Sequence, residues 1–234
     1  MLGAIIVLVG AILLISAIFL PWYSIQFSAS AGGASVKATE NSYPGLPGQN
    51  GTVQTTYTCS GVPICPPTST SSYQDSHLNS TGQVAETGFF LLIVGFVVGL
   101  IGAIIGLTSG RNAKRAGTAA VIGLVAMVIA VATFSLFAVA LPGAIGNDSP
   151  GHSGSGPWSS FFGSGNQTFF GISGASWSWG PAIGWYLTIG AFVVLLVGSI
   201  ILFTSRKEPP SPAPTVFPQP TGTPTAPPAA PPAP

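Results

Sequence analysis

The sequence predicts an α-helical membrane protein, a four-helix transmembrane bundle carrying a small extracellular antiparallel β-sheet. Three observations predict it. Four runs, Leu2–Leu20, Gly88–Leu107, Ala116–Leu141 and Ile183–Phe203, contain no Asp, Glu, Lys, Arg or His. Each approaches or exceeds the roughly 20 apolar residues that a helix needs to cross a bilayer. Five of the six basic residues fall in two short stretches bordering those runs, "GRNAKRAG" and "SRKEPP". Between the first two runs, apolar and polar residues alternate with the period of a strand.

Composition sets the same frame. The 234 residues are 47% hydrophobic and only 5% charged, with a mean hydropathy of +0.59, whereas a soluble domain carries about 25% charged residues. Such a chain cannot clothe a water-facing surface in the usual way. A net charge of +1 implies no polyanionic partner, and a nucleic-acid reader needs a basic patch that is missing here. The expected partners are the lipid bilayer and, laterally, further copies of the chain or other membrane proteins.

Residues 1–20 are read as the first span. "SAS" at Ser28–Ser30 before Ala31 resembles a signal-peptidase site. However, a signal peptide has a basic n-region and an apolar core of about 7–15 residues. Here the apolar run begins at once and is longer, so a retained anchor is expected.

Residues 21–87 form the first extracellular loop. "YSIQFSA" places Tyr23, Ile25, Phe27 and Ala29 on one face, and "TVQTTYTC" places Val53, Thr55, Tyr57 and Cys59 on one face. Both read as strands, separated by Gly- and Pro-rich turns such as "YPGLPGQNG". Cys59 and Cys65 enclose "SGVPI", where Gly and Pro suit a turn. A disulfide closing so short a loop stabilises by roughly 2 kcal/mol in the chain-entropy model. A metal site needs more ligands than Asp75 and His77 would add, so none is expected.

Residues 88–107 are the second span. Gly88, Gly95 and Gly102 lie seven apart, as do Gly99 and Gly106, which puts all five on one helical stripe. Small residues so spaced let helix backbones approach where lipid removes the hydrophobic incentive to associate. Sparser versions occur at Gly3 and Gly10, at Ala116, Ala120 and Gly123, and at Ala191 and Gly198.

Residues 108–115 hold Arg111, Lys114 and Arg115, and short basic loops stay cytoplasmic. After the third span (116–141), the second extracellular loop (142–182) and the fourth span (183–205), Arg206 and Lys207 are cytoplasmic by the same rule. The expected location is the plasma membrane, multi-pass, with both termini inside. The outer segments then hold one cation, Lys37, against Glu40, Asp75, Glu86 and Asp148. Three features agree with this orientation. Aromatic residues gather at outer span ends (Trp22, Tyr23, Phe89, Phe90, Trp185, Tyr186), as in headgroup belts. Both cysteines fall where disulfides persist. All four candidate N-glycosylation sites, Asn50, Asn79, Asn147 and Asn166, begin outside.

The spans carry hydroxyls (Ser16, Thr108, Thr133, Ser135, Thr188 and Ser199) but no ionisable group. Their hydroxyls are expected to bond back to helix carbonyls. Ion and proton pathways usually place an ionisable residue in the membrane, so a channel or carrier ranks third. The second outer loop holds Trp158, Phe161, Phe162, Phe169, Phe170, Trp177 and Trp179, too many for a solvated linker. They are expected to pack on the first loop's strands. His77 and His152, and the four outer acids, form no visible catalytic constellation; no enzyme activity and no cofactor are expected. Residues 206–234 are a Pro-rich disordered tail that favours polyproline II. Its Pro209-x-x-Pro212, beside Arg206 and Lys207, is a candidate ligand for a cytoplasmic Pro-motif-binding partner.

The layout resembles the claudin and peripheral-myelin-protein tetraspan superfamily. The shared features are four spans, both ends inside, a larger first loop with strands and a cysteine pair, and "LPW" at Leu20–Trp22 where that loop opens. The chain departs from the family at its Gly-Leu-Trp motif, which lies just before the first cysteine; here Gly45-Leu46-Pro47 stands well upstream of Cys59 and has no Trp. Tetraspanins match less well, because their large loop is the second and carries a Cys-Cys-Gly motif. The resemblance implies a left-handed bundle carrying an outer sheet, lateral self-association and a structural or barrier role. The leading functional expectation is therefore a non-enzymatic scaffolding or cell-surface contact protein. An accessory subunit of a respiratory or transport complex is the alternative.

Overall fold

The computed structural model describes residues 1–44, 51–109, 112–149, 156–169 and 172–205. It contains four helices, α1 (Leu2–Ala17), α2 (Asn79–Thr108), α3 (Ala113–Asp148) and α4 (Ile183–Thr204). Six strands accompany them: β1 (Tyr23–Ala31), β2 (Ala34–Tyr43), β3 (Thr52–Ser60), β4 (Ser69–Ser72), β5 (Gly163–Phe169) and β6 (Ile172–Pro181). Asn50, Arg111, Arg206, Lys207 and the Pro-rich tail lie outside the described residues.

The helices pack in ring order, α1 on α2, α2 on α3, α3 on α4 and α4 on α1. Three of them, α2, α3 and α4, are long and apolar enough to cross a membrane. At 16 residues, α1 spans about 24 Å at 1.5 Å per residue. Its last turn tightens to i→i+3 bonds from Ile18, Phe19 and Leu20, which carries the chain on toward Trp22.

Size decides which side chains face inward. The buried positions of α1 are Gly3, Ala4, Val7, Gly10, Ala11, Leu14 and Ala17, a heptad-like series made mostly of small residues. Leu2, Ile5, Val9 and Ile12 are exposed, as is Phe19 just beyond the helix. In α2, Phe90, Val94, Val97, Ile101 and Ile104 form an exposed stripe opposite Gly88, Gly95, Gly99, Gly102 and Gly106, which are buried.

That glycine stripe works within the chain. A Cβ on Gly99 would stand 3.0 Å from Ala11 Cβ, and one on Gly106 2.8 Å from Ala4 Cβ. On Gly102 it would meet Gly123 N of α3 at 3.3 Å. The tightest backbone approach between described helices lies elsewhere, between α1 and α4. A Cβ on Gly198 would come 2.8 Å from Val7 N and 3.0 Å from Gly3 O. Of the hydroxyls in the apolar runs, Ser16, Thr108, Thr133 and Thr188 donate to carbonyls four residues back. Ser199 does not, and its buried Oγ has no partner among the described residues.

Two helices run beyond their apolar stretches. Residues 79–87, expected in a loop, are the first turns of α2, and 142–148 complete α3 despite Pro142. Proline removes one helical donor and usually ends a helix. Here the extension is held from both ends. Ala144 and Ile145 are buried, and the Asp148 carboxylate accepts hydrogen bonds from Ser80 N (2.9 Å) and Thr81 N (2.7 Å). Leu78 offers α2 no side-chain cap, so an acid from α3 satisfies the orphan donors of its first turn.

The sheet is larger than the sequence implies. All pairings are antiparallel in the order β4-β3-β2-β1-β6-β5, so the segment between α3 and α4 supplies a third of the strands. Gly32 and Gly33, both with positive φ, make the two-residue β1–β2 turn between the paired Ala31 and Ala34, as that hairpin class requires.

Trp22 joins the two layers. It is fully buried, its Nε1 donates to Ala17 O at 2.7 Å, and its ring lies 4.5 Å from that of Phe137. Its N–H donates to Ser42 O, and its carbonyl accepts from Ala182 N. Tyr23 and Phe89 are likewise buried, while Phe90 and Tyr186 are exposed. The expected aromatic belt is thus divided, because rings at the sheet–helix junction are needed to fill it.

Candidate functional site

A cavity of about 420 Å³ lies between the sheet and the ends of α2 and α3. Strand periodicity builds its floor. Ile25 of β1 pairs with Glu40 of β2, which pairs with Thr55 of β3; one row nearer the helices, Tyr23, Ser42, Val53 and Ser71 stand abreast. All of these line the cavity, together with Trp177 of β6. Alternate residues share a face, so the odd positions of β1 and β3 and the even positions of β2 converge here. The roof is Leu78 just before α2, Thr81 of α2, Leu141 and Ile145 of α3, and Trp158.

The walls combine aromatic surface with unsatisfied polar atoms. The Trp158 and Trp177 rings are 5.1 Å apart. The Tyr23 hydroxyl and Trp177 Nε1 are buried without a hydrogen-bond partner among the described residues, and the buried Thr81 hydroxyl bonds to Asp148 at the edge of the roof. Buried polar atoms are nearly always satisfied, and two of the exceptions line this one cavity. The half-buried Glu40 carboxylate faces the same space, with no ion pair or hydrogen bond among the described residues. Burial pushes its pKa up, because a carboxylate without a partner loses solvation. Tyr73 is also buried in this wall, its hydroxyl 3.4 Å from Tyr43 O. Burial raises that phenol, a hydrogen bond with Ser42 opposes the rise, and the charge of Glu40 adds to it.

No cationic side chain lines the cavity among the described residues. Nor do three or more His, Cys, Asp or Glu side chains gather to hold a metal there or elsewhere among them. Beside the roof, burial raises Asp148, and the bonds from Thr81 and Ser80 outweigh it, leaving the carboxyl below its ordinary value.

The sequence-predicted residues lie elsewhere. Cys59 and Cys65 form a disulfide, Cα atoms 5.7 Å apart, where β3 ends. There Gly61, with φ +69, packs on Gly33 and Ala34 of the hairpin turn. Asn79 and Asn147 are exposed at the adjoining ends of α2 and α3, and Asn166 is exposed on β5. Lys114 and Arg115 are exposed in the first turn of α3, their N–H groups donating to Asn112 Oδ1 at 3.1 and 3.2 Å.

Glu40 was legible only as a loop charge, since β2 itself was missed. Its signals were the Gly32-Gly33 turn and the placement of one acid at an inward position of the strand that follows. No protein-family model matches the chain, and no curated protein matches it.

Proposed function

We propose that the chain is a multi-pass plasma-membrane protein, with its four helices as a transmembrane bundle, both termini cytoplasmic and the sheet outside. Its role is non-enzymatic, as a scaffold or contact protein that acts laterally or at the cell surface through the sheet. One observation carries this reading: beside a few leucines, the helices bury mainly glycine and alanine and expose rows of Ile and Val. That inversion of size is what helix packing in lipid favours. In water it would leave a large exposed apolar surface around the molecule, of a kind soluble monomers rarely show.

Other features support the orientation and the role. Lys114 and Arg115 occupy a helix N-terminus, where the macrodipole disfavours cations, so their place is better explained by retention of a basic loop inside. The sheet face away from the cavity is polar, with Gln26, Ser28, Lys37, Ser164 and Asn166 exposed on it. A hydroxyl- and amide-rich face on a disulfide-tied sheet suits contact with a second copy. Glycosylation at Asn79, Asn147 and Asn166 belongs to the same proposal, and an endoglycosidase mobility shift tests it. Kinship with the claudin superfamily is part of the proposal too; it rests on the layout, Trp22, Cys59 and Cys65 alone.

An impermeant amine reagent added to intact cells is expected to label Lys37 and spare Lys114; the opposite pattern overturns the orientation. Mass analysis after mild-detergent purification is expected to return a single chain or a homo-oligomer. Stoichiometric foreign redox or transport subunits would instead establish the accessory-subunit alternative.

A further inference from the structure

The cavity has a chemical character of its own, independent of which side of a membrane the sheet occupies. It presents one carboxylate, Glu40, and no cation among the described residues. Two buried hydroxyls line it, that of Tyr23 without a partner among the described residues and that of Thr81 bonded to Asp148, and both oxygens keep lone pairs that accept hydrogen bonds. Tyr23 and Glu40 stand diagonally across the β1–β2 pair, since Tyr23 faces Ser42 and Ile25 faces Glu40. Diagonal neighbours on one sheet face are roughly 7–8 Å apart at the backbone, and both side chains line the same cavity. Around these oxygens are the rings of Trp158 and Trp177, whose π-faces attract cations, and the apolar side chains of Val53, Leu141 and Ile145. The volume falls within the range of small-molecule sites.

We propose that this cavity binds a primary ammonium ion carried on an apolar body, with the charge on Glu40, its N–H donors on the Tyr23 and Thr81 hydroxyls, and its body against Trp158 and Trp177. A primary ammonium has three donors and no acceptor, which matches a carboxylate and two hydroxyls. An anion would meet an unpaired carboxylate, and a neutral apolar ligand would leave the Glu40 charge uncompensated. The ammonium comes either from a free amine or from an ethanolamine headgroup, and the two sources carry the same chemistry.

The test is a tryptophan-fluorescence titration of the full chain in maltoside detergent, with 2-phenylethylamine as the probe and propylbenzene as its neutral isostere. Saturable change is expected with the amine, with at least tenfold weaker response to propylbenzene. Glu40→Gln is expected to weaken the amine at least tenfold with unchanged helical circular dichroism. Thr81→Val, which leaves the carboxylate in place, is expected to weaken it several-fold. Equal responses to amine and isostere, or full amine affinity in Glu40→Gln, would overturn the proposal. A third arm repeats the titration in nanodiscs of phosphatidylcholine with or without phosphatidylethanolamine. Competition by phosphatidylethanolamine assigns the site to a lipid headgroup, and absence of competition assigns it to a free amine.

Discussion

Two acids within a few residues of the same cavity respond to pH in opposite senses. Glu40 is raised by burial above its ordinary value of 4.5, so the folded chain keeps a proton that the unfolded chain has lost. Its stability contribution is complete below about pH 4.5 and falls as pH rises through the raised value. Asp148 is lowered from 3.8, so its contribution is present above that value and is lost as pH falls through the lowered one. Melting curves between pH 3 and 8 are expected to show Glu40→Gln with a higher Tm than the parent at neutral pH and a gap that closes toward pH 4. Asp148→Ala is expected to cost about 1 kcal/mol at neutral pH, the usual cost of losing a helix cap, and less in acid. A Tm of Glu40→Gln below the parent at pH 7 would show that the carboxylate is already compensated within the chain.

Among the elements, the helices show which part of the sequence signal was readable. The stripe of Gly88, Gly95, Gly99, Gly102 and Gly106 could be read because seven-residue spacing in an uncharged run has few other causes. The α1–α4 contact at Gly3, Gly10 and Gly198 shows in the sequence only as a sparser stripe, since two or three glycines fix no partner. The difference is measurable at two glycines of one helix. A side chain at Gly198 meets the backbone of α1, whereas one at Gly190 has nothing within 4 Å. Gly198→Leu is expected to abolish monodisperse folding or lower Tm by well over 10 °C, since overpacking costs about 1–3 kcal/mol even where side chains can move. Gly190→Leu is expected to leave Tm within a few degrees, as checked by thermal melts in the same detergent. The strands were harder. Alternation in "YSIQFSA" and "TVQTTYTC" identified β1 and β3, but β2 carries Lys37, Glu40 and Asn41, which mask its period. In β6, Gly and Ser stand where the outward face needs only small polar groups.

For the whole molecule, the fold class was legible in coarse form because charge, length and period act locally. The cavity was not, because it depends on the β1–β6 and β2–β3 registers and on α3 running past Pro142, none of which is written in one segment. The disulfide ties the end of β3 to the chain leading into β4. Reduction, or Cys59→Ser with Cys65→Ser, is expected to cost roughly 2 kcal/mol. It should accelerate hydrogen exchange in β3 and β4 while leaving the helices unchanged; alkylation of both thiols without reductant would disprove the bond.

The pairing of β1 with β6 also has a consequence in time. Ser28 and Ser176, hydrogen-bonded at 2.8 Å, are 148 residues apart. At about 5–20 residues per second, a ribosome takes roughly 7–30 s to supply the second after the first. For that interval β1 has an open strand edge, the kind of surface that recruits other chains. Nascent molecules stalled before residue 172 should therefore cross-link to chaperones or to each other through β1, and release of the full chain should end that vulnerability.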